Sequence, residues 1–102
     1  MAPRYTFVAA AELTDSASAT KLSGRVAEIS RKGCYVDILN VLPVGTLLAV
    51  RVSHEQGTFV TKGKIIYVQE RIGMGLEFLD TPKDQLQILD SWLAELPPAA
   101  CL

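Results

Sequence analysis

The run Glu28-Ile29-Ser30-Arg31-Lys32-Gly33 concentrates the groups of this chain best suited to chemistry. It sets a carboxylate, a hydroxyl, two basic side chains and a glycine between two strand-like stretches, the make-up of a shaped turn. Such a turn presents backbone N–H groups and a serine oxygen to an anion. A guanidinium such as that of Arg31 grips phosphate bidentately or stacks on a planar base. Gly33 permits a positive φ or the close approach of a neighbouring strand. On spacing alone two readings stand: a ligand-binding loop, or a solvated turn in which Arg31 and Lys32 confer solubility.

Catalytic groupings are poor. His54 lies among the polar turn residues Ser53 to Gly57, with no cysteine or carboxylate at ligand spacing, and reads as a solvated turn histidine. Ser30 has no local base to make it a nucleophile, and the carboxylates are scattered over strands and turns. Gly73-Met74-Gly75 lacks the later glycine and the following helix of a dinucleotide fingerprint, so its glycines are expected to relieve crowding at a strand entrance. Cys34 alternates with Val36 and Ile38 and reads as a small buried hydrophobe. The expectation is a protein that is not an enzyme and carries no metal or cofactor.

Composition narrows the class further. A chain of 102 residues with 49% hydrophobic content supports one core and one domain, residues 1–102. Ten basic and 11 acidic residues are interspersed for a net charge of −1, which argues against general DNA or RNA binding. A basic cluster aimed at one compact anion remains open, because focusing is local. Neither a signal-peptide pattern nor an apolar run of about 18 residues is present, so a soluble, cytoplasmic protein without membrane insertion is expected.

The elements that must position the turn follow from periodicity. Tyr5, Phe7, Ala9, Ala11 and Leu13 alternate on one face of a first strand, and Thr14 to Lys21 reads as a loop. A second strand runs from Leu22 to Ile29, where the apolar phase slips from Val26 to Ala27 and Ile29, the mark of a bulge. Cys34, Val36 and Ile38 define a third strand, Asn40 to Gly45 a turn, and Thr46–Val52 a fourth strand. Thr58–Gln69 follows across a hairpin, with Gly63 fitting a sharp bend, and Met74–Leu79 closes the series. The period then becomes helical: Thr81 can cap, Pro82 fits N1 and Asp84 N3. Leu86, Leu89, Leu93 and Leu96, with Ile88 and Trp92, form a broad apolar stripe that Pro97 and Pro98 end. The pattern predicts a mostly β fold: a six-stranded antiparallel barrel over about residues 4–79 and a C-terminal helix over about 82–96. That helix covers an open barrel end or packs on another subunit.

Nearly the whole chain resembles the PilZ domain family, small bacterial split β-barrels many of which bind cyclic di-GMP. The resemblance rests on Arg4-Tyr5-Thr6-Phe7, Glu28-Ile29-Ser30-Arg31-Lys32-Gly33, Cys34-Tyr35-Val36, Leu42-Pro43-Val44-Gly45 and Gly73-Met74-Gly75-Leu76-Glu77-Phe78, in that order before a closing helix. The family's ligand site joins an Arg-x-x-x-Arg segment to an Asp/Asn-x-Ser-x-x-Gly turn. Arg4 matches the second arginine, and the first would precede Met1. Ser30 and Gly33 match the turn, with Glu28 in the Asp/Asn place. The resemblance implies a cyclic di-GMP receptor or adaptor with Arg4, Glu28, Ser30, Arg31 and Gly33 at the ligand, signalling through an altered partner-facing surface. The alternative is a degenerate PilZ module that does not bind the nucleotide and acts through protein contacts or a homodimer, using Leu89, Trp92, Leu93 or Leu96.

Overall fold

A computed structural model describes residues 5–55 and 57–95. The sequence expectations for Arg4, Leu96, Pro97 and Pro98 fall outside the described residues. Six strands appear in chain order: β1 (Tyr5–Asp15), β2 (Lys21–Ile29), β3 (Gly33–Asp37), β4 (Leu47–His54), β5 (Gly57–Gln69) and β6 (Gly73–Leu79). One helix, α1 (Lys83–Glu95), follows. The antiparallel ladders run β1-β2-β3-β6-β5-β4, and β1 pairs with β4 from Ala10↔Ser53 to Asp15↔Leu48 to close the barrel. No helix among the described residues is long and apolar enough to cross a membrane.

Alternation dictates the core. Phe7, Ala9, Ala11 and Leu13 of β1 point inward, as do Leu48, Val50 and Val52 of β4, and they meet Val26, Val36, Ile65 and Met74. The first strand and its partner run further toward their turn than the polar composition of Thr14 to Lys21 suggested, because β1 pairs on both sides out to Thr14. The bulge in β2 lies where the apolar phase slipped: the β2–β3 register shifts between Val26 and Glu28. Gly63 sits in regular register opposite Leu48, and Val50 fills the space its side chain would take. The irregularity in β5 falls instead between Ile65 and Tyr67, and it leaves both Ile66 and Tyr67 facing outward.

Helix α1 covers one end of the barrel. Leu89 and Trp92 are buried in the chain's own core, with Ile88 and Leu93 packed against it. The Trp92 ring stacks on Phe7 at 5.4 Å and meets Phe59 edge-on at 6.3 Å. Of the two roles open to this stripe, capping the barrel is the one these contacts serve. The helix start differs from the expected cap: the Thr81 hydroxyl bonds to the Thr61 hydroxyl at 2.8 Å, while Gln85 accepts from the Val60 N–H at 2.7 Å. His54 also differs from expectation. As the last residue of β4 it is half-buried, its ring 4.4 Å from Phe7 and 5.6 Å from Trp92, because the docked helix reaches this rim.

Candidate functional site

The turn between β2 and β3 is built by its serine. The Ser30 N–H donates to the Gly33 carbonyl at 2.8 Å, and Ser30 Oγ accepts from the Lys32 and Gly33 amides at 3.2 Å each. The Lys32 carbonyl accepts from the Phe78 amide at 2.8 Å, pinning the turn to β6. Gly33 adopts no positive φ; its requirement is proximity, since a Cβ there would sit 2.0 Å from the Leu76 carbonyl oxygen.

This turn forms one wall of a cavity of about 350 Å³. Glu28, Ser30, Lys32 and Gly33 line it together with Ile66, Tyr67 and Glu77. The register explains the grouping. Glu28 pairs with Tyr35, Tyr35 with Gly75, and Gly75 with Tyr67, so one lateral row crosses β2, β3, β6 and β5. The β2 bulge turns Glu28 to the outer face beside Tyr35, and the β5 irregularity turns Tyr67 to the same face. The two tyrosine rings lie 6.0 Å apart at an interplanar angle of 25°. The Tyr35 hydroxyl donates to Gln69 Oε1, and burial, with the neighbouring Asp37 and Tyr67, pushes this phenol above its ordinary value, favouring the protonated donor.

Of the sequence-derived ligand residues, Glu28, Ser30 and Gly33 come together on this cavity. Arg31 does not line it: the side chain turns toward α1, where Nε donates to Asp90 Oδ1 at 3.1 Å. Arg4 lies outside the described residues. Tyr35, Tyr67, Ile66 and Glu77 were not expected at the site, because they meet only through the pairing of β3, β6 and β5, for which no run of neighbouring residues gives a signal. Cys34 also borders the cavity, but burial pushes its thiol up to about 12, so it is an inert hydrophobe there. Among the described residues no group of three or more His, Cys, Asp or Glu side chains gathers as metal ligands.

A closed six-stranded antiparallel barrel, capped by one helix and carrying a turn-walled cavity, defines a small helix-capped class of β fold. The PilZ domain model matches residues 1–95, and the chain belongs to that family. The fold is similar to the PilZ domain with c-di-GMP of YcgR from Escherichia coli, at a TM-score of 0.78 and 18% identity over 93% of this chain and 88% of that one. It is also similar to the PilZ domain of CeSA from a cellulose-synthesizing bacterium, at a TM-score of 0.68 and 14% identity over 89% and 95% of the two chains. The Bacillus subtilis inhibitor of motility, MotI/DgrA, matches at a TM-score of 0.73 and 14% identity over 93% of this chain and 52% of that one. No match is found among curated proteins.

Proposed function

We propose that this PilZ domain is a cytoplasmic cyclic di-GMP receptor that acts as an adaptor, without covalent chemistry. The observation that carries the reading is the convergence of Glu28, Ser30 and Gly33, the three turn positions of the family motif, on one cavity wall. At about 350 Å³ the cavity is at the small end of ligand pockets, which span about 300–1,000 Å³. It suits one base with its sugar, the rest of the dinucleotide lying on the barrel surface. The carboxylate of Glu28 is an acceptor for the N–H edge of a guanine, and the Ser30 turn holds that wall in shape.

Phosphate binding falls to basic groups at the rim. Lys32 lines the cavity, and the Tyr5↔Ile29 pairing starts β1 beside the end of β2 that carries Ser30. Arg4, the residue before β1, supplies the guanidinium in this reading, and Arg31 joins it by leaving Asp90. Domains of this kind signal by changing what a partner protein meets, and a turn tied to α1 through Arg31 and Asp90 gives such a route.

Calorimetric titration of the whole chain with cyclic di-GMP tests this. Saturable binding below about 100 μM is expected, weakened about tenfold by Ser30→Ala and by Arg4→Ala. Absence of heat at that concentration, with a competent receptor binding in parallel, rejects the receptor reading. A second reading, a PilZ module working through protein contacts alone, is favoured by one observation: Arg31 is engaged with Asp90 and does not line the cavity.

A further inference from the structure

The outer surface of the β1–β4 ladder carries a charge pattern that the cavity does not use. In the strand order β1-β2-β3-β6-β5-β4 this ladder lies across the barrel from β3 and β6. Lys21 pairs with Thr14, Thr14 with Ala49, and Ala49 with Lys62, so one row crosses β2, β1, β4 and β5 with a lysine at each end. In the neighbouring row Glu12 pairs with Arg51, and Arg51 with Val60. Lys21, Arg51 and Lys62 are exposed, none of them lines the cavity, and among the described residues none forms an ion pair. The cations that flank them are answered within the chain: Arg25 reaches Asp37 at 3.5 Å, and Lys64 stands opposite Glu77. Glu12 offsets Arg51 across the ladder, which leaves the two lysines as the surplus charge of the face.

From this pattern we infer that the β2-β1-β4-β5 face docks an acidic segment of a partner protein. Three strand spacings of about 4.8 Å put the two lysines roughly 14 Å apart, so the partner carries carboxylates at about that separation. Between them Thr14 and Ala49 are small and let a partner backbone approach the sheet. Val60, 46% exposed beside Arg51, rewards an apolar side chain next to the carboxylates. Glu12 selects against other polyanions. A phosphodiester backbone or an anionic lipid surface presents unbroken negative charge and meets Glu12 as a repulsion, whereas a protein segment can place a neutral residue there. Neither row holds an aromatic side chain on which a nucleic-acid base could stack. With a net charge of −1 for the whole chain, the attraction belongs to this face alone and orients the partner as it arrives.

The test uses the whole chain and a fluorescent peptide of six glutamate–alanine repeats, followed by anisotropy and by backbone amide NMR. At about 20 mM salt the screening length, roughly 20 Å, exceeds the spacing of the lysines. Saturable binding below about 1 mM is expected, with amide shifts at Thr14, Ala49 and Arg51 and none at Gly73 or Gly75. Lys21→Glu and Lys62→Glu are each expected to weaken it about fivefold, and Lys83→Glu on α1 less than about twofold. All three lysines are exposed, so the variants keep the fold, and equal melting temperatures verify it. An oligothymidylate and phosphatidylglycerol vesicles are expected to bind at least about tenfold more weakly than the peptide. No saturation at about 1 mM, reversals at Lys21 and Lys62 acting no more than the one at Lys83, shifts confined to the cavity side, or an oligothymidylate or vesicle binding as tightly as the peptide each overturns the docking face. Calorimetry with cyclic di-GMP on the same variants is expected to match the parent chain, which keeps this face and the receptor reading apart.

Discussion

Gly33→Ala carries the most exposed wager of this structure, because the glycine lies at the seam between the cavity wall and the barrel. A Cβ built on Gly33 lies 2.0 Å from the Leu76 carbonyl oxygen and 3.3 Å from Glu77 Cα, both backbone atoms that no rotamer change can move. An ordinary carbon–oxygen contact is about 3.3 Å, so the β3–β6 ladder must open by roughly 1.3 Å. Overpacking of this kind costs about 1–3 kcal/mol. Weakening the bond from the Phe78 amide to the Lys32 carbonyl, 2.8 Å in the parent chain, adds about 1 kcal/mol. The smaller conformational freedom of alanine in the unfolded chain returns about 0.4–1 kcal/mol. The net loss is about 1–4 kcal/mol, which lowers the melting temperature of a domain this size by roughly 4–30 °C. Thermal unfolding followed by circular dichroism reads the first quantity, and hydrogen exchange at the Phe78 amide reads the local opening. A variant that melts within about 3 °C of the parent and keeps Phe78 protected would refute the argument, whatever its ligand affinity.

Other expectations follow from the packing and charges. Trp92→Ala, which empties the space between Phe7 and Phe59 under α1, should cost about 3–5 kcal/mol in urea unfolding; a loss under 1 kcal/mol would mean that the helix does not seal the barrel. The Arg31–Asp90 pair, with side chains 58% and 49% exposed, should show a coupling of about 0.2–1 kcal/mol in a double-mutant cycle that fades in molar salt; zero coupling at low salt would unseat the pair. Cys34 is raised from 9.0 to about 12, so its folded form holds the proton longer than the unfolded chain. Its contribution to stability is whole below pH 9 and is lost as pH climbs toward 12, by roughly 4 kcal/mol in total. Parent and Cys34→Ala stabilities compared across that window should therefore converge or cross with rising pH, and parallel curves would contradict the burial argument.

Local pattern carried the strands, the β2 bulge and the helix, because each is written in a run of neighbouring residues. The phase slip at Val26, Ala27 and Ile29 could be seen without any partner strand, and the structure has its register shift there. The meeting of Tyr35 and Tyr67 could not be read that way. Tyr35, Gly75 and Tyr67 share a row only because β3, β6 and β5 are neighbours in the barrel and β5 is irregular after Ile65, facts of non-local register. The direction of Arg31 was hidden for the same reason: its partner Asp90 lies 59 residues away on a helix whose docking depends on Leu89 and Trp92. His54 looked solvated among polar neighbours until the same helix was laid across its rim. At Gly63 the crowding comes from Val50 on the adjacent strand, a neighbour that the β5 run itself does not name.

Joining β1 to β4 has a consequence for anything that listens to this domain. Along that seam the backbone amides and carbonyls are already matched, from Ala10 with Ser53 to Asp15 with Leu48, so a visiting peptide finds no strand there to lengthen. Along that stretch a listener meets side chains rather than open backbone. That makes its choice of this domain a matter of surface chemistry, open to change by single substitutions that leave the cylinder beneath untouched.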